Sequence, residues 1–310
     1  MLQAYKPEGM LIDNPQNKAA LSDIEALQAA MTAQSVLEAR ALVCDSEHNL
    51  TIDLGCCCGI IPRSETVMGL SDGSTRDIAI ISRVGKPVSF IVTSIEKDKN
   101  GETIAYLSRR AVQERCSAEY LSRLKAGDII DARITHLDSF GCFADIGCGV
   151  ASLLPIDAIS ISRISHPSDR FRVGQEIKAI VRAVDEKGRL TLSHKELLGS
   201  WTENADAFNP GETVAGIVRS VESYGIFVEL APNLTGLAEP KAGVCPGMHA
   251  SVYIKSVNRD KMKIKLILID AFEAAYLPPK PNYFITSGRI QHWRYSPPGI
   301  ERVIETFFDK

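Results

Sequence analysis

Several absences narrow the reading of this 310-residue chain. No apolar run reaches the roughly 18 residues that a membrane-crossing helix needs, so no transmembrane helix is expected. The opening MLQAYKPEGM lacks the charged-then-apolar layout of a secretory leader, and the expected location is the cytoplasm. The eight cysteines contain no CxxC pair: Cys56, Cys57 and Cys58 are contiguous, and Cys44, Cys116, Cys142, Cys148 and Cys245 are scattered. The spacing of a tetrahedral zinc site is therefore missing. Neighbouring strand residues point to opposite faces, so the contiguous thiols do not converge easily on one ion. Reduced, small apolar cysteines with no metal and no cofactor are expected. The Walker-type phosphate loop, the HExxH zinc helix and the GxSxG nucleophile elbow are all missing. Asp128, Asp131 and Asp138 are spread along one expected strand, where metal-dependent nuclease chemistry needs clustered carboxylates. No enzyme is expected.

A surplus of one charge sign is also lacking. The net charge of -3 and pI near 6.1 argue against a generic polyanion binder. Residues 1–122 carry 12 Lys+Arg against 16 Asp+Glu, residues 123–200 carry 11 against 10, and residues 208–270 carry 7 against 6. Any nucleic acid held by the later, near-neutral segments is held more by stacking than by counterion release.

What is present is a repeat. GDIIDARITHLDSFGCFADIG starts at Gly127 and GETVAGIVRSVESYGIFVELA at Gly211, 84 positions later; Phe140 and Tyr224, Gly141 and Gly225, and Phe143 and Phe227 keep the same offset. Repetition at this scale means copies of one small domain. In the second copy strands are expected near 128–137, 141–146, 149–154, 176–184 and 189–194, with the tight turn EKGR joining the last two. A third copy shortens the connection between its third and fourth strands, since Gly174 and Gly247 stand only 73 apart. A divergent first copy is visible where EARALVCDSEHNLTIDLG (38–55) parallels DARITHLDSFGCFADIG, and GIIPRSE (59–65) parallels SLLPIDA (152–158). Before it, the spacing of Leu21, Ile24, Leu27 and Met31 predicts a helix within 17–40, with Asn17 or Ser22 as cap. Five short strands per copy suit a small closed barrel of the OB type. The expected class is all-β: three tandem five-stranded OB-fold barrels, a short N-terminal helix and a Pro-rich C-terminal tail. The expected boundaries are 1–34 for the arm and helix, 35–122, 123–200 and 208–270 for the barrels, and 271–310 for the tail.

SFGCF, SLLP and VGQEIKAIVRAVDEKGRLTLSHK together resemble the S-one RNA-binding domain, and three tandem copies over about 35–270 resemble the bacterial ribosomal protein S-one family. That resemblance implies an RNA face of two aromatics on the second strand, a His ending the third, and an Asp and Arg around the last turn. It assigns Phe140, Phe143, Asp185 and Arg189 in the second copy, with Pro155 where the His would stand. It assigns Tyr224 and Phe227 in the third, with Glu239, Asn258 and Met262 in place of His, Asp and Arg. In the first copy His48 and Thr51 fall on the aromatic positions, Glu96 near the Asp and Ile104 on the Arg. Base stacking on Phe or Tyr is sequence-tolerant and worth about 1–3 kcal/mol per base. The competing reading makes the aromatics core plugs and Asp185–Arg189 a structural turn pair.

Two further clusters are candidates. His166, Arg170 and Arg172 in the long connection suit a phosphate-contacting rim, or simply a solvated loop. Arg289, His292, Trp293, Arg294 and Tyr295 interleave basic and aromatic residues, suiting RNA or packing onto the adjacent barrel. The expected partner is single-stranded RNA, specifically messenger RNA, with the small ribosomal subunit engaged through the first barrel; a monomer suffices. An RNA-binding regulator off the ribosome and a protein-interaction scaffold are the alternatives.

Overall fold

The structure is a computed structural model and describes residues 5–70, 73, 75–275 and 278–308. The outermost residues of the expected arm and tail, and two within the tail, lie outside that range. The backbone divides into two compact units: Met1–Leu124 with Asp131–Arg133 and Asp145–Ala151, and Lys125–Ile130 with Ile134–Ala144 and Ser152–Lys310.

Three closed five-stranded barrels follow one another along the chain, all with the same strand order. The first is built from β1 (Leu37–Cys44), β2 (Leu50–Asp53), β3 (Cys58–Ile61), β4 (Pro87–Lys97) and β5 (Thr103–Ser108). The second has β6 (Ile129–Asp138), β7 (Gly141–Asp145), β8 (Ala151–Pro155), β9 (Glu176–Val184) and β10 (Leu190–Ser193). The third has β11 (Thr213–Glu222), β12 (Gly225–Ala231), β13 (Leu234–Ala238), β14 (His249–Asn258) and β15 (Lys263–Phe272). Each sheet closes by a parallel pairing of its third and fifth strands, beside antiparallel pairs such as β1 with β2, β9 with β10 and β11 with β12. Alternation explains why these segments are strands. In β15, Ile264, Leu266 and Leu268 are buried while Lys263, Lys265, Ile267 and Ile269 are exposed, a period of two with one face on the core.

The N-terminal helix is two helices. The expected helix within 17–40 breaks into α1 (Pro15–Ala20) and α2 (Ile24–Thr32). Neither Asn17 nor Ser22 is a cap: Asn14 accepts from Gln16 N and Asp23 from Ala26 N. Asn17 is instead buried, exchanging two 2.8 Å bonds with the backbone of Glu38. Gln34 at φ 52 lies past the end of α2, and the alternating Leu37, Ala39 and Ala41 then run as a strand. After a short α3 (Ile78–Ile81) between β3 and β4, an 11-residue α4 (Arg109–Glu119) follows β5, capped by Ser108 on Ala111 N. α4 is not among the elements expected from the sequence.

The first barrel's core gathers Leu50, Ile52, Ile61, Val88, Phe90 and Leu107. In the same unit, Glu8 of the N-terminal arm is buried against Arg109, whose Nε and Nη2 donate to its carboxylate at 2.6 and 3.0 Å. The third barrel's core gathers Val218, Ile226, Val228, Val252, Ile254 and Leu266, joined by Trp201 of α5 (Trp201–Ala205). The tail packs back: Trp293 and Tyr295 are buried in this same cluster, and Tyr295 donates to Asn233 O at 2.5 Å. β16 (His292–Arg294) pairs with β17 (Glu305–Phe307). Of the five tail residues singled out, the packing alternative therefore describes Trp293 and Tyr295. Arg294 donates to Ser296 O, Arg289 donates to Ala126 O, and His292 lies on Glu305 and Phe307. Among the described residues no helix is long and apolar enough to cross a membrane.

Candidate nucleic-acid interface

The two repeat copies build the same ring pair. Phe140 and Phe143 meet edge to face with centroids 6.2 Å apart at 84°, and Tyr224 and Phe227 do so at 6.1 Å and 87°. Phe140 is 52% and Tyr224 66% exposed, so neither is a core plug; Phe143 and Phe227 are half-buried and brace them. In an edge-to-face pair the half-buried ring braces its partner, and Phe140 and Tyr224 stay open to solvent. The intervening glycine makes this possible by close approach. A Cβ on Gly141 would stand 2.5 Å from Leu154 O, and one on Gly225 2.8 Å from Ala238 O. In the second barrel Ile156 N also donates to Phe140 O at 3.0 Å, fixing the backbone under the exposed ring.

The strand registers extend this pair into a row. In the third barrel Ser220 pairs with Phe227, Phe227 with Leu237, Leu237 with Lys265, and Lys265 with Ser256. The second barrel shows the same row in part, Leu153 with Thr191 and Thr191 with Ala183. The first carries Val43, Thr51, Ile60, Tyr106 and Ser94 along it. Next to Phe143 stands the exposed His136, its ring centroid 6.4 Å away. His136 is not among the positions implied by the resemblance; its place two residues before Asp138, on the strand facing Phe143, is the signal the sequence offers.

Asp185 and Arg189 shape the turn after β9. The Asp185 carboxylate accepts from the backbone N of Lys187 and of Arg189, both at 2.9 Å, and from Arg189 Nε at 2.7 Å. The Arg189 amide and then its guanidinium hold the Asp185 carboxyl below the usual range. The arginine side chain remains 76% exposed, with Nε engaged by Asp185, so the turn pair also holds a cation in solvent. The contacts are those of a structural turn pair, with the arginine left in solvent.

In the third barrel, alignment by sequence offset sets Met262 against the arginine, and the registers correct it. The β-bulge that falls after Thr191 in β10 falls after Lys265 in β15, which places Lys263 at the level of Arg189. The turn has one extra residue, and Met262 at φ 47 takes the left-handed place that Gly188 holds at φ 75. Asn258 spends its Oδ1 on Lys261 N, as Asp185 does on its own turn. Glu239, in the place of the histidine, is exposed just past β13. In the first barrel Glu96 and Ile104 pair directly across strands, because that hairpin runs two residues further on each side before turning at Asp98. His48, at φ 64, lies in the Asp45 turn, so the first barrel has no paired rings at the platform position.

The rim separates. Arg172 is exposed, but Arg170 is buried, which corrects its place as a phosphate contact. Its Nη2 meets Glu229 at 2.5 Å, and Glu229 also receives Arg219 Nε at 2.8 Å. Arg219 Nη1 reaches Asp169 at 3.2 Å. A guanidinium held in a buried ion network has no face for RNA. It pins the long connection of the second barrel to β12, assisted by Ile161 N donating to Asn233 Oδ1 and by Ser162 N donating to Pro232 O.

A tandem array of OB barrels, two of them carrying an exposed aromatic pair beside cations, is the class this architecture defines. Residues 123–195 match the S1 RNA binding domain family. The small ribosomal subunit protein bS1 homolog of Bacillus subtilis is 34% identical over 199 residues, covering 59% of this chain and 51% of that protein. The bS1 protein of Staphylococcus epidermidis is 28% identical over 259 residues, covering 78% and 63%. A multidomain protein with nucleic acid binding domains from Streptococcus pneumoniae, of known crystal structure, is 14% identical across 78% of this chain and 76% of its own; its TM-score of 0.26 is too low to carry any argument. Residues 123–195 thus carry an S1 RNA binding domain, and the chain is similar to bacterial S1 proteins over most of its length. It spans between half and two thirds of the length of these two curated relatives.

Proposed function

We propose that the chain binds single-stranded RNA by stacking bases on Phe140/Phe143 and Tyr224/Phe227, and that it brings messenger RNA to the small ribosomal subunit. The observation that carries this is the pair of exposed rings built twice with nearly the same geometry, 6.2 Å at 84° and 6.1 Å at 87°. Paired bases hide their faces in the stack, so the target is single-stranded. Asp185 and Arg189 supply the charged contact of the second platform, and Arg172 adds a phosphate contact at its margin. Two modest sites on one chain raise each other's effective concentration, so the affinity of the pair exceeds that of either. The chain acts as a binder and not as an enzyme, in the cytoplasm and as a monomer.

The first barrel has the role of docking on protein. It lacks the paired rings, and it exposes Leu42 and Val43 on β1 together with Ile78, Ile81 and Val84. These segments are adjacent, since Gly85 N donates to Ala41 O and Ala41 N to Lys86 O. The test is binding of a labelled single strand against a duplex control, with co-sedimentation on small subunits. A Leu42→Asp/Val43→Asp variant that keeps RNA binding and loses co-sedimentation supports this division. Loss of neither, or no selectivity for single strands, contradicts it.

A further inference from the structure

The third barrel lacks the clasped arginine of the second, yet it is not short of cations. Lys263 stands at the level of Arg189, and Lys265 lies in the cross-strand row of Phe227, separated from it only by Leu237. Adjacent strands are about 4.8 Å apart, so the backbones of Phe227 and Lys265 are roughly 10 Å apart across the face. Both lysines are exposed, and among the described residues neither has a carboxylate partner. Leu237, 37% exposed, gives the Lys265 stem an apolar surface to lie on while its ammonium stays in water. The exposed acid just past this barrel's third strand, Glu239, follows Ala238, which pairs with Leu266; it therefore lies on the Ile267 side of the row, away from Lys263.

From this layout we infer that Lys263 and Lys265 form a phosphate track in the third barrel, on which an RNA strand stacked at Tyr224 and Phe227 continues across β13 to β15. The inference rests on the reading of the ring pairs as RNA platforms and adds to it a division of mechanism. Thr191 occupies the row position of Lys265 in the second barrel, so that barrel's row carries no cation there, and its turn arginine is held by Asp185. The third barrel has two cations on a strand, free to follow a backbone. A lysine ammonium is a mobile point charge that suits phosphate without fixing its orientation. The third barrel is accordingly the salt-sensitive site, and the second relies mainly on stacking.

The experiment measures the affinity of the full chain for a labelled single-stranded RNA across a salt series. The parent is compared with Lys263→Gln/Lys265→Gln and with a charge-matched control, Lys97→Gln/Lys99→Gln, in the first barrel's exposed hairpin. Each lost phosphate contact on a single strand lowers the log–log salt slope by about 0.7, so the third-barrel variant should lose up to about 1.4. It should bind roughly tenfold more weakly near 0.1 M salt and converge on the parent as salt approaches about 1 M. The control should keep the parent's slope. A third-barrel variant with the parent's slope and affinity, or a control that falls equally, overturns the track alone. A parent that binds no single strand overturns the platform reading and the track with it.

Discussion

The second and third barrels present the same pair of rings on the same strand and surround it with different charge. In the second, a five-residue turn closes on Asp185, whose carboxylate gathers two backbone N–H groups and the Arg189 guanidinium. In the third, one more residue enters the turn, Met262 takes the left-handed position, and the cations move to the strand as Lys263 and Lys265. The rings depend on a close backbone approach at Gly141 and Gly225, which changes little between copies. The turn lies outside the core and is free to change. The geometry of the ring pair is thus set by packing, and the charge around it changes with the turn.

The largest expected effect comes from parting the two barrels. Glu229→Ala leaves Arg170 and Arg219 without their shared carboxylate, and removing one partner from a buried ion network costs roughly 3–5 kcal/mol. Chemical denaturation should show that loss in the unit holding the second and third barrels; an unchanged midpoint would mean the network contributes nothing.

Next in size is an acid sensitivity of the same region. His194 is fully buried, with Nδ1 at 2.9 Å from Ile159 O and Nε2 at 3.1 Å from Tyr283 Oη. Burial pushes its pKa down from 6.5 to about 4. Above pH about 6.5 the ring is neutral in both folded and unfolded chains, and it adds no pH dependence. Between about 6.5 and 4 the unfolded chain takes up a proton that the folded one refuses, so stability falls as pH falls and levels off below about 4. The loss amounts to about 3 kcal/mol. Denaturation midpoints from pH 7.5 to 4 should show it, and a folded His194→Gln variant should lose that component; an equal pH slope in both would contradict the assignment.

Single ring deletions sharpen the comparison itself. Phe140→Ala and Tyr224→Ala should each weaken binding of a single strand by about fivefold to a hundredfold, while Tyr224→Phe keeps its π-face and stays within about twofold of the parent. If only one ring mattered, the two barrels would not be equivalent platforms. The smallest effect belongs to Asp185→Ala. An exposed ion pair is screened by solvent, so stability should change little, and RNA affinity should fall by no more than a few-fold as Arg189 loses its aim.

Much of this was legible in the chain. The 84-residue offset located the ring pairs, and the period-two alternation located the strands of the second barrel to within a residue or two. What escaped depends on partners distant in sequence. Arg170 reads as a loop cation until Glu229, 59 residues away, is seen to bury it. Asn17 reads as a helix cap until Glu38 is seen to draw it inward. Lys263 was hidden by an inserted residue that shifts the sequence offset without shifting the strand register. His136 needed a cross-strand neighbour to give it meaning.

The central claim is that RNA binds by stacking on the two exposed rings, and one titration tests it most directly. Fluorescence anisotropy of a labelled single-stranded RNA, with duplex as control, compares the parent with a folded Phe140→Ala/Tyr224→Ala variant at several salt concentrations. The account predicts selective single-strand binding by the parent, weakened at least tenfold in the variant, about 1.4 kcal/mol, with little change in salt slope. Equal binding by both proteins, or none by the parent, would contradict it.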